Sequence, residues 1–516
     1  MHDMDIPTFE EVAKKVPLPK LPPELPPLGA DEVGCGCYRV IANQQTYEDF
    51  LAYRQTMHEA GFWEVASLEP SLLRAVCTVT FKKEDLTVGV AFNNYWRKIF
   101  LCIQSFPDSL FRTSEQVLTG VPAMPGDTVT VPTGAGNYTV TANNTDKAYY
   151  ESYRKTLEGA GYTLVAANTE GFDDSVYSAT YIKGASSLCV THVARAGETF
   201  LTAAVDQPVS PRLSFCPEEV AANPAGAKTL LCLPELYFFG ACFVIREKNG
   251  HFIVQDGGTG CETGYFLDYI CALAGGETPI IDGWLVTHPH RDHTGVLCAM
   301  AYEPKYAERI RVEGIYFSEP CDSVLDLDGG SRGDAALMRY VGSVLRTSAG
   351  TPTPAYRPHT GQRYYFNDII VDILMSQEQL PKESYSGDIN DSSTWFLFTI
   401  DGQKVLLAGD ADTGSMQFIM KAYRGEFFDL TAFSTLHHCH NTKDYFTDYM
   451  KHVGTVLGTI HDALPPYNQS ANIHLQEVAD EWLYSGEGTR ELTFPYAPGQ
   501  SRLLPHNPWI YHKKEA

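Results

Sequence analysis

No stretch of the 516 residues approaches the ~18 consecutive apolar positions that a membrane-spanning helix requires. The N-terminus, MHDMDIPTFEEVAKKVPLPK, places acids and prolines where a secretory signal carries basic residues and then an apolar block. Both absences point to a cytoplasmic protein with no membrane partner. Basic residues are also in short supply: 39 Lys and Arg stand against 63 Asp and Glu, a net charge of −24. Such a surface repels polyanions, which disfavours long nucleic acid as a partner while leaving room for a local basic groove. Cysteine offers no disulfide framework. The 13 residues are odd in number and scattered from Cys35 to Cys439, and only Cys35 and Cys37 are closely spaced, the pattern of reduced thiols filling cores. A phosphate loop is missing as well: the glycine-rich run at 257–264 lacks both the Gly-x-Gly-x-x-Gly spacing and the Lys-Ser/Thr ending. Cys439 lies between His438 and His440, but sequence neighbours rarely face each other, so no thiol nucleophile is assigned.

What remains is an ordinary large globular composition, 44% hydrophobic and 20% charged, with length for two to four domains. Residues 17–29, PLPKLPPELPPLG, are proline-dense, and residues 1–33 are read as an extended N-terminal segment. An offset of 100 residues then aligns 38–66 with 138–166, with 11 of 29 positions identical, including Tyr53/Tyr153, Arg54/Arg154 and Gly61/Gly161. This internal duplication defines two units, 34–120 and 121–207. Each reads as β-α-β-β-β, its helix closed by Gly61 or Gly161, and the pair could form one continuous sheet or two small packed domains. A polar, proline-containing linker follows at 208–227. From 228 to 516 strands and amphipathic helices alternate, beginning with a hairpin around a Lys-Asn-Gly turn, as in an α/β layered domain.

The chemistry concentrates in THPHRDHTG, residues 287–295, at the end of a buried-type strand. Pro289 holds His288 extended, and extended residues two apart face the same side, so His288 and His290 converge. Asp292 and His293 open the next helix and are offset from that pair, so the spacing forms two adjacent ligand sets. Imidazole with carboxylate suits zinc, iron or manganese.

His288-Pro289-His290-Arg291-Asp292-His293 resembles the HxHxDH signature of the metallo-β-lactamase superfamily, whose fold is an αββα sandwich with the metal site at one sheet edge. Asp256-Gly257-Gly258 resembles that family's early Asp-x-Gly turn, Gly409-Asp410 its bridging aspartate, and Leu436-His437-His438 its terminal histidine motif. The resemblance spans roughly 230–480. There is one departure. Many relatives carry a further histidine before the Gly-Asp strand pair, where this chain reads Asp388-Ile389-Asn390-Asp391-Ser392-Ser393. That run and the doubled histidine resemble the DNA-internalisation (competence-type) and phosphorylcholine-esterase-like branch. Asp391 or Asn390 would fill the ligand position through oxygen, His359 is an alternative, and a single metal is another.

The resemblance implies two divalent ions, zinc by preference, with His288 and His290 on one, Asp292 and His293 on the other, and Asp410 between them. His437 or His438 completes the second set, and His438 or His440 could protonate a leaving group. The implied activity is attack by metal-activated hydroxide on a phosphodiester or ester bond, carboxylic ester, thioester or lactone included. Residues 231–516 carry 21 basic and 36 acidic residues, a net −15, which favours a small-molecule substrate. The competing expectation is a binding or regulatory protein that uses the duplicated units, with a weakly active or inactive metal domain.

Overall fold

In the computed structural model, which describes residues 8–19, 31–34, 37–69, 76–105, 112–214, 228–232, 240–327, 331–380, 389–439, 444–454, 458–460, 481–484, 488–497 and 499–504, four sheets organise the chain. The two duplicated units form two separate six-stranded sheets with the same strand order. In the first, Asp31–Gly34, Cys37–Asn43, Lys98–Ser105, Leu86–Asn93, Val76–Lys83 and Trp63–Leu68 lie side by side; in the second, Thr128–Gly134 through Thr163–Phe172 repeat the arrangement. Each unit therefore has two strands more than the β-α-β-β-β reading. One face of each sheet carries its helix, Tyr47–Glu59 or Lys147–Gly159. Equivalent details recur 100 residues apart, such as Lys83 and Lys183 donating to the carbonyls of Ala60 and Ala160, each at 2.7 Å.

The N-terminal segment read as extended contains a short helix, Phe9–Ala13, whose Val12 is buried with Val16 in the first unit's core. Ser114–Leu118 does the same for the second, through Val117. Both helices are started by a capping box, Thr8 with Glu11 and Thr113 with Gln116, which satisfies amides that a five-residue helix would otherwise leave bare. Residues 20–30 of the proline-dense stretch lie outside the described residues, as do 215–227 of the linker.

Beyond residue 228 two further sheets face each other. The first runs from Ala355–Tyr356 through Ile315–Phe317, Ile280–Val286, Phe252–Asp256, Cys242–Arg246, Lys228–Cys232 and Thr489–Phe494 to Arg502–Leu504. The second runs from Arg363–Phe366 through Ile369–Met375, Trp395–Ile400, Gln403–Leu407, Leu430–Ser434 and Gly458–Ile460 to Trp482–Tyr484. Strand period explains how both faces are used. Phe243, Ile245 and Leu285 point inward to meet Val371, Phe396 and Phe398, while Cys242, Val244 and Val286 point outward under helices Thr263–Leu273, Arg291–Tyr302 and Ser331–Val344. The outer face of the second sheet packs Trp395, Leu397 and Leu406 against helix Thr413–Ala422. Helix, sheet, sheet and helix thus form an α/β layered sandwich. Among the described residues no helix is long and apolar enough to cross a membrane.

Both units press their helix-free face onto this sandwich, and their side chains Leu68, Val76, Phe172 and Val176 join its outer core. The second unit is fastened by a buried group: Arg357 bonds Glu378 Oε1 at 2.8 Å and reaches the Thr133 carbonyl, while His359 Nδ1 lies 2.8 Å from Glu378 Oε2. Burial alone would raise the Glu378 carboxyl, but His359 and Arg357 lower it to about 2. A carboxyl depressed in the fold contributes stability above its unfolded value, near 4.5, and that contribution is lost as pH falls toward about 2. Replacing Arg357 by alanine leaves Glu378 buried with one partner fewer, and we expect a loss of about 3–5 kcal/mol at neutral pH. Urea unfolding of parent and Arg357→Ala should show this, together with a shallower loss of stability in acid for the variant; equal midpoints at neutral pH would contradict it.

Candidate metal centre

The first sheet supplies half of the site where two parallel strands, Phe252–Asp256 and Ile280–Val286, end at the same edge. After Val286 the chain continues through Thr287, His288 and Pro289 to His290, which immediately precedes helix Arg291–Tyr302 with extended backbone. The imidazoles of His288 and His290 lie side by side, Nε2 to Nδ1 at 3.0 Å. One helical turn brings Asp292 and His293 alongside, with the His288 and His293 rings 4.3 Å apart. This turn sits deep because Gly295 lacks a side chain: a Cβ there would overlap Gly258 and Gly260, and its amide instead donates to the Gly258 carbonyl at 2.9 Å.

Asp256 holds the arrangement together from a left-handed backbone, φ 55°. Its Oδ1 accepts the Thr287 amide at 2.8 Å, and its Oδ2 accepts the Thr287 hydroxyl at 2.9 Å and His293 Nδ1 at 3.0 Å. A carboxylate can only accept, so Nδ1 of His293 carries a proton and Nε2 is the nitrogen presented to the site. Thr287 was not singled out in the sequence; its place immediately before His288 is the only signal it gives.

The second sheet supplies the other half. Strand Gln403–Leu407 leads through Ala408 and Gly409 to Asp410, and strand Leu430–Ser434 leads to His437 and His438. Gly409 has φ 57° and lies against the Thr287 side chain, a position that leaves no room for a Cβ. His437 and His438 both adopt φ 49°, a left-handed conformation that costs about 1–3 kcal/mol for each non-glycine residue and persists only where the surroundings impose it. The consequence is that the two histidines diverge. His438 Nε2 stands 3.2 Å from Asp292 Oδ2 and 3.2 Å from Asp410 Oδ2, whereas His437 Nε2 faces the Asn390 amide at 3.3 Å.

Four side chains therefore converge: one ligand atom from each of Asp292, His293, Asp410 and His438 lies within 4.8 Å of the other three. His293, Asp410 and His438 are buried, and Asp292, 27% exposed, forms the side open to solvent. Burial opposes charge on Asp410, but His293 and His438 beside it hold its carboxyl well below the usual range. Burial likewise opposes charge on His293, yet Asp410 and Asp256 raise it well above an ordinary imidazole. His288 goes the other way: burial, with His293 and His290 as neighbours, pushes it well below, leaving a neutral ring.

These residues fit a divalent cation. His293 Nε2 is buried, 3.0 Å from Asp410 Oδ1 but out of hydrogen-bond alignment with it, so a ring nitrogen and a carboxylate oxygen face the same point. Two carboxylates with two imidazoles form a suitable donor set for zinc, iron or manganese. His288 and His290 lie beside this set and offer the nitrogens of a second one.

Asp391 is not in the cluster. Its Oδ1 accepts the amides of Gly414 and Ser415, at 3.0 and 3.2 Å, in the first turn of helix Thr413–Ala422. His359 is likewise elsewhere, on Glu378. His440 lies outside the described residues.

No protein-family model matches the chain, and no curated protein matches it. Among solved structures it is similar to Tm1679, described as a metal-dependent hydrolase of the beta-lactamase superfamily, with 11% identity and a TM-score of 0.31 over 52% of this chain and 98% of that one. It is also similar to a metallo beta lactamase from Hirschia baltica, with 10% identity and a TM-score of 0.22 over 58% of this chain and 84% of that one. At these scores neither likeness bears on the reaction, and the reading of the site stands on its geometry.

Because Asp256 orients His293, Asp256→Asn should weaken metal binding about 10- to 100-fold. Competition against a chromophoric chelator measures this; an unchanged dissociation constant would show that the Asp256 contact is dispensable.

Proposed function

We propose that this chain is a metal-dependent hydrolase that cleaves a phosphodiester or ester bond in a small molecule, in the cytoplasm, as a member of the metallo-β-lactamase superfamily. The observation that carries the reading is the four-residue cluster of Asp292, His293, Asp410 and His438, closed on three sides and open at Asp292. One divalent ion there, with a second on His288 and His290, is the arrangement we favour. A divalent ion in such a site lowers the pKa of water toward about 7 and offsets negative charge developing on an attacked carbonyl or phosphoryl oxygen.

The chain's own residues do the rest. Asp256 keeps a proton on His293 Nδ1 and so aims Nε2 at the cluster. Asp410 and Asp292 supply the negative charge that draws in a cation, and His438 stands between them. That position suits His438 for a ligand more than for a proton donor, so the proton for a leaving group would come from another group. The acidic balance of residues 231–516 favours a compact substrate over a long polyanion.

A binding protein built on the duplicated units fits less well. Each unit buries much of one sheet face under its own helix and much of the other against the sandwich. We assign the units a scaffolding role.

Metal-reconstituted protein should hydrolyse bis(p-nitrophenyl) phosphate or a p-nitrophenyl ester and lose that activity on chelation. His438→Ala should reduce the rate by more than about 100-fold, and His437→Ala by less, as expected for a residue turned away from the cluster. Absence of turnover on both substrate classes by metal-loaded protein would count against the hydrolase.

A further inference from the structure

We propose that the first duplicated unit positions the metal loop through a chain of contacts that starts on its buried sheet face and ends at the exposed Arg291, an inference that rests on reading Asp292, His293, Asp410 and His438 as a metal centre. The chain begins on the helix-free face of that unit's sheet. Thr78 Oγ1 donates to the Ser323 carbonyl at 2.7 Å, and Thr80 Oγ1 donates to Asp326 Oδ2 at 2.9 Å. Gly89, on the neighbouring strand, lies so close to the Asp326 carboxylate that any Cβ there would overlap it. Asp326 receives both arms of the Arg332 fork, Nε on Oδ1 and Nη2 on Oδ2, each at 2.7 Å, and Arg332 Nη1 donates to Asp322 Oδ1 at 2.6 Å.

Arg332 stands in the first turn of helix Ser331–Val344. Two residues further on, Asp334 Oδ1 accepts from Arg291 Nε at 3.0 Å and Nη2 at 2.7 Å, and Arg291 is the residue between His290 and Asp292. The same helix packs Leu337 and Val341 against Val296 and Met300 of the helix that carries Asp292 and His293. Displacing Arg332 therefore moves both the Asp334 tether and the packed face, and the metal loop follows. The buried bidentate Arg332–Asp326 pair tolerates little displacement before its hydrogen bonds are lost, which makes that part of the linkage stiff.

Among the described residues the second unit makes no matching contact with Asp326 or Arg332. Its equivalent positions, Ser178 and Thr180, bond to the Gly361 carbonyl and the Gln362 amide, which lead into the sandwich's edge strand Arg363–Phe366. Position 189, equivalent to Gly89, is a cysteine. The two copies have diverged at the point where the first one touches Asp326. Gly89, Asp326, Arg332 and Asp334 are positioning residues, remote from the reacting atoms.

Cobalt(II) titration of the full chain, read by the visible absorption of the bound ion and paired with thermal melting, tests the proposal. Gly89→Ala, which forces Asp326 aside, should weaken cobalt binding about tenfold or more and alter the spectrum; Asp334→Asn, at the other end of the chain, should do the same. Should Gly89→Ala fail to fold, Thr80→Val removes only the hydroxyl on Asp326 and is read in the same way. A repeat variant that melts lower but keeps the parent's affinity and spectrum overturns the proposal, as does an effect confined to Asp334→Asn. A parent protein that binds no cobalt overturns the metal-centre reading, and this inference with it.

Discussion

Two carboxylates and two imidazoles converge at the edge of the sandwich, with their ligand atoms within 4.8 Å of one another. Taking each carboxylate out of water costs several kcal/mol, so the arrangement persists only if positive charge is supplied at the same point. The protein alone supplies it by favouring a proton on His293, which Asp410 and Asp256 both stabilise. A divalent cation meets the same demand more completely, because it also engages the His293 nitrogen that makes no hydrogen bond within the protein. The surrounding structure follows from this constraint: Asp256 fixes the ring, Gly295 and Gly409 let backbone approach, and a left-handed turn at His437 and His438 delivers the last ligand.

The sandwich makes that convergence possible by ending strands from both sheets at one edge. Its strands are apolar on both faces because each sheet meets the other on one side and helices on the opposite side. The rigid interior fixes Asp256 and His293 from one sheet relative to Asp410 and His438 from the other. The duplicated units extend the frame: they cover outer surface of the sandwich and anchor segments that continue toward the site.

The metal loop was legible in the sequence because four of its donors fall within six residues, where the extended Pro289 and one helical turn determine their directions. Asp410 and the histidine pair needed the family resemblance, since nothing local brings separate strands together. Which histidine faces the cluster was not legible, because the answer depends on two consecutive positive φ angles that tertiary structure imposes. Asp391 illustrates the converse. Its position suggested a ligand, but helix Thr413–Ala422 starts beside it and two backbone amides take its carboxylate. The duplication was plain from identities 100 residues apart, whereas the docking of the units was hidden. Thr78, Thr80, Ser178 and Thr180 have the alternating polarity of a solvent-facing strand surface, yet they are buried against the sandwich and spend their hydroxyls on it.

The central claim is that this cluster holds a metal ion, and metal content per chain tests it most directly. Protein purified without chelator and analysed by inductively coupled plasma mass spectrometry, beside Asp410→Ala, should contain at least one zinc, iron or manganese ion per chain that the variant loses. Metal-free protein that stays metal-free after reconstitution, or equal metal content in parent and variant, would contradict the account.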